Sequence, residues 1–312
     1  MKALIIFVSC FFICAIQAES LENYLIKNYG YQRLKLSNNY KELDGPYLIG
    51  EVNNSKAYIM FDTGSNGISI FNDSVNQLKL KESNSLNHSK NMAGQSSINH
   101  DVLLKQIKIG NIVLKNINAE TINQPKKIQY PTIIIGTKFL DKYNAIFNFS
   151  NQSIYLSTRH VTPKDHYLIG QKLYAKNFLL INLTKLISQH QIIPIAFNKN
   201  SPVNCLVDTG TSDFTVSDTY SKKIGLKTTS KETIKATDGT LTIANTNISS
   251  LTLNPLNIFY QKKLQLFNLN ATSANIESLS KFLGIVCILG FKELKDTKSI
   301  YDFSAARLYI KS

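Results

Sequence analysis

Across its 312 residues the chain carries 35 lysines and arginines against 21 aspartates and glutamates, for a formal net charge of +14. No run of Lys or Arg exceeds two residues, so the charge reads as a solvated surface and not as a nucleic-acid or anionic-lipid footprint. His88, His100, His160, His166 and His190 form no His-Glu-x-x-His motif or Cys/His cluster of zinc spacing, which argues against a metal site.

In chain order, residues 1–18 (MKALIIFVSCFFICAIQA) read as a secretory signal peptide. Lys2 starts it, Ala3 to Ile16 form the apolar stretch, and Ala18 is the small residue before a polar start. Its 14 apolar-stretch positions fall short of the roughly 20 that an anchoring helix needs, and no later stretch is long and apolar enough to span. The expected mature chain, 19–312, is therefore exported (secreted or periplasmic), without stable membrane insertion. It is long enough for one large or two smaller domains. Cys205 and Cys287 remain in it, and an exported pair of thiols allows one disulfide.

Short runs rich in Ile, Phe and Tyr predict strands at 57–61 (AYIMF), 67–71 (GISIF), 104–109 (LKQIKI), 131–135 (PTIII), 145–149 (AIFNF) and 153–156 (SIYL). Helical candidates are few and short: 74–80 (SVNQLKL), 137–143 (TKFLDKY) and 275–283 (NIESLSKFL). The expected class is all-β with a few short helices.

The chain also repeats itself. IMFDTGSNGISIF at 59–71 and CLVDTGTSDFTVS at 205–217 each place Asp-Thr-Gly and a hydroxyl residue after an apolar run, 146 positions apart. Gly94 follows Asp62 by 32 residues and Gly239 follows Asp208 by 31. With Gly136 over Gly290 no gap is needed through Leu156 and Ile310. Lys138/Lys292, Leu140/Leu294, Ile146/Ile300, Phe149/Phe303, Ser150/Ser304 and Tyr155/Tyr309 are then identical. The break falls near HVTPKDH, where Pro163 and its polar neighbours read as a linker, giving lobes over 19–162 and 163–312. Residues 19–45 read as the first strands of the first lobe, with an inhibitory prosegment as the alternative.

Aspartate is seldom buried unless paired, so an apolar strand that delivers one twice points to a site. Gly64 permits a tight turn and close backbone approach, Thr63 suits the pleat, and Ser65 can donate to the Asp62 carboxylate. Thr209, Gly210 and Thr211 repeat these features beside Asp208. A duplicated unit packed about a twofold axis would bring the two carboxylates face to face, where they share a proton. One can then activate water while its protonated partner polarises a carbonyl. The competing reading is that both aspartates merely cap turns, since Asp-x-Gly is common turn chemistry.

DTGS and DTGT after apolar strands, with the later apolar-Gly strands IIIG (133–136) and CILG (287–290), resemble aspartic proteases of the pepsin and retropepsin type. The resemblance covers nearly the whole expected mature chain, as a single-chain tandem of retropepsin-like units. It implies two pseudo-symmetric β lobes with a cleft between them. It also implies Asp62 and Asp208 as catalytic dyad, Thr63 and Thr209 interlocking the loops, and Ser65 and Thr211 orienting the carboxylates. Gly94 and Gly239 would lie near the tips of flap hairpins. No cofactor or metal is implied, the partner is an extended peptide or protein substrate, and a monomer holds a complete site. In such a core Cys205 and Cys287 lie on neighbouring strands, as a disulfide or as two small core hydrophobes. The family's flap tyrosine has no counterpart in NMAGQSSINH. A catalytically inactive, pepsin-like binding or inhibitor protein is therefore the alternative function.

Overall fold

The structure, a computed structural model, describes residues 19–37, 45–90, 96–123, 129–198, 200–236, 239–253 and 264–311. The expected signal segment and Gly94 lie outside them.

Every run expected as a strand is one, and the central ones are apolar without alternation because both their faces are covered. In the first half, Ser55–Phe61 runs parallel to Thr132–Ile135. Ile59, Phe61, Ile133 and Ile135 face the main core, whereas Tyr58, Met60 and Ile134 face a second cluster with Tyr47, Phe71 and Ile122. The second half repeats this with Val203–Val207 parallel to Ile285–Leu289. Cys205, Val207, Cys287 and Leu289 face the main core, and Leu206 and Ile288 a separate cluster.

Around each central pair a sheet curls back on itself. The first-half sheet has seven strands, and its first strand, Tyr47–Val52, also pairs with Ser96–Ile109. The second-half sheet has eight, and Gln191–Phe197 also pairs with Gly239–Leu253. These two barrel-like lobes share a third sheet of six strands, three from each half, in which Ile146–Asn148 lies beside Ile300–Asp302. Phe147 is there paired with Tyr301, its own equivalent in the repeat, so the twofold relation runs through that pair, with ring centroids 6.0 Å apart. One apolar cluster continues through both lobes. The molecule is therefore mostly β, with short helices, as expected.

Two segments differ from the sequence reading. Residues Leu21–Tyr29 form a helix before the expected strand begins at Tyr31. Ser20 caps its start, and left-handed Gly30 ends it. The HVTPKDH stretch is no loose linker: Pro163–Tyr174 is a helix. Its Thr162 cap and Asp165 bond each other's backbone N–H groups, and Pro163 sits where a first turn tolerates it. Each helix leads into a strand of the shared sheet, Tyr31–Lys35 or Phe178–Asn182. The segment over 21–35 is thus built into the fold.

Candidate active site

Each central strand pair ends in a loop that the following glycine clamps. The Asp62 N–H donates to Ile135 O and the Asp208 N–H to Leu289 O, both at 3.0 Å. Downstream, Thr137 N–H donates to Ser65 O and Phe291 N–H to Thr211 O, both at 2.8 Å. A Cβ at Gly136 would run into the Ser65 carbonyl. One at Gly290 would meet the Thr211 and Asp213 carbonyls within 2.9 Å. Only glycine lets the two backbones approach this closely, which explains the apolar-apolar-Gly pattern.

The loops meet across the lobes through their threonines. Thr63 Oγ1 donates to Val207 O at 2.9 Å, and Thr209 Oγ1 to Phe61 O at 2.8 Å. Each hydroxyl also accepts the other's backbone N–H, Thr209 N–H at 3.0 Å and Thr63 N–H at 3.1 Å. Both side chains are fully buried, so these four bonds form a closed, satisfied network.

That interlock sets Asp62 and Asp208 side by side, close enough for a side-chain hydrogen bond between them. Each glycine lies against the opposite lobe's acid: a Cβ on Gly64 would fall on the Asp208 carboxyl group and one on Gly210 on that of Asp62. Asp208 is 5% exposed and Asp62 half-buried. Burial, then the charge of Asp208 and its hydrogen bond, push the Asp62 carboxyl well above the ordinary carboxylate range. The Gly64 and Ser65 N–H groups oppose the rise.

The supporting shell is less symmetric than the repeat. Gly64 N–H donates to Asp62 Oδ1 at 2.7 Å and Gly210 N–H to Asp208 Oδ1 at 2.8 Å. Thr211 Oγ1 donates to Asp208 Oδ2 at 2.8 Å. The Ser65 hydroxyl, expected to do the same for Asp62, makes no such bond among the described residues. Its backbone N–H bonds the Asp62 backbone oxygen at 3.4 Å.

Cys205 and Cys287 stand directly opposite on the central parallel strands and are joined by a disulfide, with a Cα–Cα distance of 4.5 Å. Gly239 opens the strand Gly239–Leu253, opposite Ala236. Two residues near the loops were not legible in the sequence. His190 Nε2 lies 2.9 Å from Gly64 O, and beside it the buried Gln191 accepts from Tyr301 Oη at 3.1 Å. Both come from a hairpin far along the chain, and no local motif marks either.

Two β lobes that share a sheet, carry one Asp-Thr-Gly loop each and interlock those loops define the pepsin and retropepsin type of aspartic protease fold, in tandem form. An aspartyl protease family model matches the chain twice, over residues 48–139 and 193–275, and the chain belongs to that family. The crystal structure of an aspartic proteinase from Irpex lacteus matches with a TM-score of 0.50 over 90% of this chain and 97% of that one. At 11% identity that likeness concerns the fold alone. No curated protein sequence matches the chain.

Proposed function

We propose that the chain is an exported aspartic endopeptidase whose catalytic groups are Asp62 and Asp208. The observation that carries the reading is the reciprocal Thr63–Thr209 network, which leaves the two carboxyl groups adjacent and coupled. Such a pair holds a water between a carboxylate and a carboxylic acid. The carboxylate takes a proton from the water as it attacks a peptide carbonyl, and the acid donates to the carbonyl oxygen. The resulting diol collapses as a proton passes to the leaving amine. The raised Asp62 group suits the acid role.

The lobes, taken as 19–162 and 163–312, supply one aspartate each, so a monomer suffices. An extended peptide lies in the cleft between them, under a hairpin that includes Gly239. Neither metal nor cofactor takes part. The signal-like residues 1–18 support export to a secreted or periplasmic location.

Cleavage of a denatured protein between about pH 3 and pH 8, beside folded Asp62→Asn and Asp208→Asn variants, tests this. Both variants should be inactive. Activity surviving either substitution would overturn the dyad, and a folded wild type inactive throughout would point to a binding or inhibitor protein.

A further inference from the structure

We propose that His190 is a positioning residue for Asp62, acting from the second lobe through Gly64 of the first. Its kinetic consequence rests on the peptidase reading above; its geometry does not.

His190 follows a tight turn between the strands Thr184–Lys185 and Gln191–Phe197. Leu186 N–H donates to His190 O at 2.8 Å and Gln189 N–H to Leu186 O at 2.9 Å, with Gln189 in the left-handed region at φ 69°. Within that turn Ser188 Oγ lies 2.8 Å from His190 Nδ1. Across the lobe boundary Nε2 lies 2.9 Å from Gly64 O. A carbonyl oxygen only accepts, so Nε2 carries the hydrogen, and in the neutral ring Nδ1 accepts from the Ser188 hydroxyl. Both ring nitrogens are engaged, and the tautomer follows from the partners.

The acceptor gives this contact its consequence. Gly64 accepts from His190 through its C=O and donates through its own N–H to Asp62 Oδ1 at 2.7 Å, while the Ser65 N–H, in the same planar peptide group as that C=O, bonds the Asp62 backbone oxygen at 3.4 Å. Fixing the Gly64 carbonyl holds the turn that aims the Gly64 N–H at the carboxyl. The His190 bond therefore steadies the Gly64 donor that favours charged Asp62. On the opposite side Asp208 receives the Thr211 hydroxyl from its own loop. Among the described residues no side chain is bonded to the Gly210 carbonyl. Two related carboxyl groups are thus oriented by different means, one within its loop and one from the other lobe.

The test compares full-length mature protein carrying His190→Phe, His190→Gln or Ser188→Ala. Two readouts are used: peptide cleavage split into kcat and KM, and titration of Asp62 by NMR of labelled aspartate carboxyl carbons. Losing one net hydrogen bond should lower kcat of His190→Phe roughly three- to tenfold, with KM changed less than about twofold. Its Asp62 pKa should rise by roughly half a unit, because a weakened donor favours the neutral acid. Glutamine restores a donor and should recover most of kcat. Ser188→Ala should fall between the two.

An unchanged kcat and Asp62 titration in His190→Phe would overturn the proposal. So would an effect confined to KM, a gain in activity, or equal loss in the Phe and Gln variants with equal loss of thermal stability. If the wild type cleaves nothing yet His190→Phe still shifts the Asp62 titration, the peptidase reading fails and the positioning role stands.

Discussion

Glu293 offers a perturbation whose size follows from the structure. In the repeat it occupies the place of Phe139, three residues after the clamping glycine, and both side chains are buried. Glu293 is 3% exposed, and neither carboxyl oxygen has a hydrogen-bond partner of good geometry. Burial pushes its pKa from 4.5 to about 7. Its own N–H, Lys292 and the Phe214 N–H oppose the rise, and Asp213 adds to it. The folded-state value lies above the unfolded one, so the group costs nothing while both states are protonated. Stability then falls as pH rises between about 4.5 and 7. At 1.36 kcal/mol per unit that amounts to about 3 kcal/mol above pH 7. Glu293→Gln removes the titration but keeps the shape, so it should match the wild type near pH 4.5 and exceed it by about 3 kcal/mol near pH 7.5. Urea unfolding at the two pH values measures the gap. A gap that stays constant with pH would refute the buried-acid argument.

Thr63→Ala strands the Val207 carbonyl and the Thr209 N–H in the interior and should lower stability by about 2–4 kcal/mol, whereas Thr63→Ser should cost about 1 kcal/mol or less. Urea denaturation of both variants checks this. Gly210→Ala would drive a methyl group onto the Asp62 carboxyl, and displacement by about 1 Å should lower kcat/KM at least about a hundredfold. Circular dichroism establishes that the variant is folded. Reducing Cys205–Cys287, which closes a separation of 82 residues, should destabilise the protein by about 2–4 kcal/mol. Thermal unfolding with and without a thiol reductant would measure it, and an unchanged midpoint would refute that contribution.

The β class and the pair of loops were legible because their signals are short-ranged. An apolar run such as IMF before Asp62 reads as a strand covered on both faces, and the glycine of IIIG marks a close backbone approach. The two helices were misread for an equally local reason. Pro163 after Thr162 starts a helix as readily as it interrupts one, and Asp165 completes a capping box that the linker reading passed over. Ser20 and Gly30 bracket the first helix, but the Ile and Tyr between them also suit a strand.

By itself the sequence determined that one chain carries two equivalent Asp-Thr-Gly turns, because each turn is built within a few residues by backbone geometry and a β-branched neighbour. Only the tertiary structure decided that the site is not fully twofold. The first-lobe loop borrows His190 from 126 positions away, the Thr211 hydroxyl donates to Asp208 where, among the described residues, that of Ser65 makes no such bond to Asp62, and a buried acid replaces a phenylalanine at Glu293. These differences depend on which surfaces the shared sheet presses together about the Phe147–Tyr301 pair. That choice is made by packing between distant segments, and no local spacing encodes it.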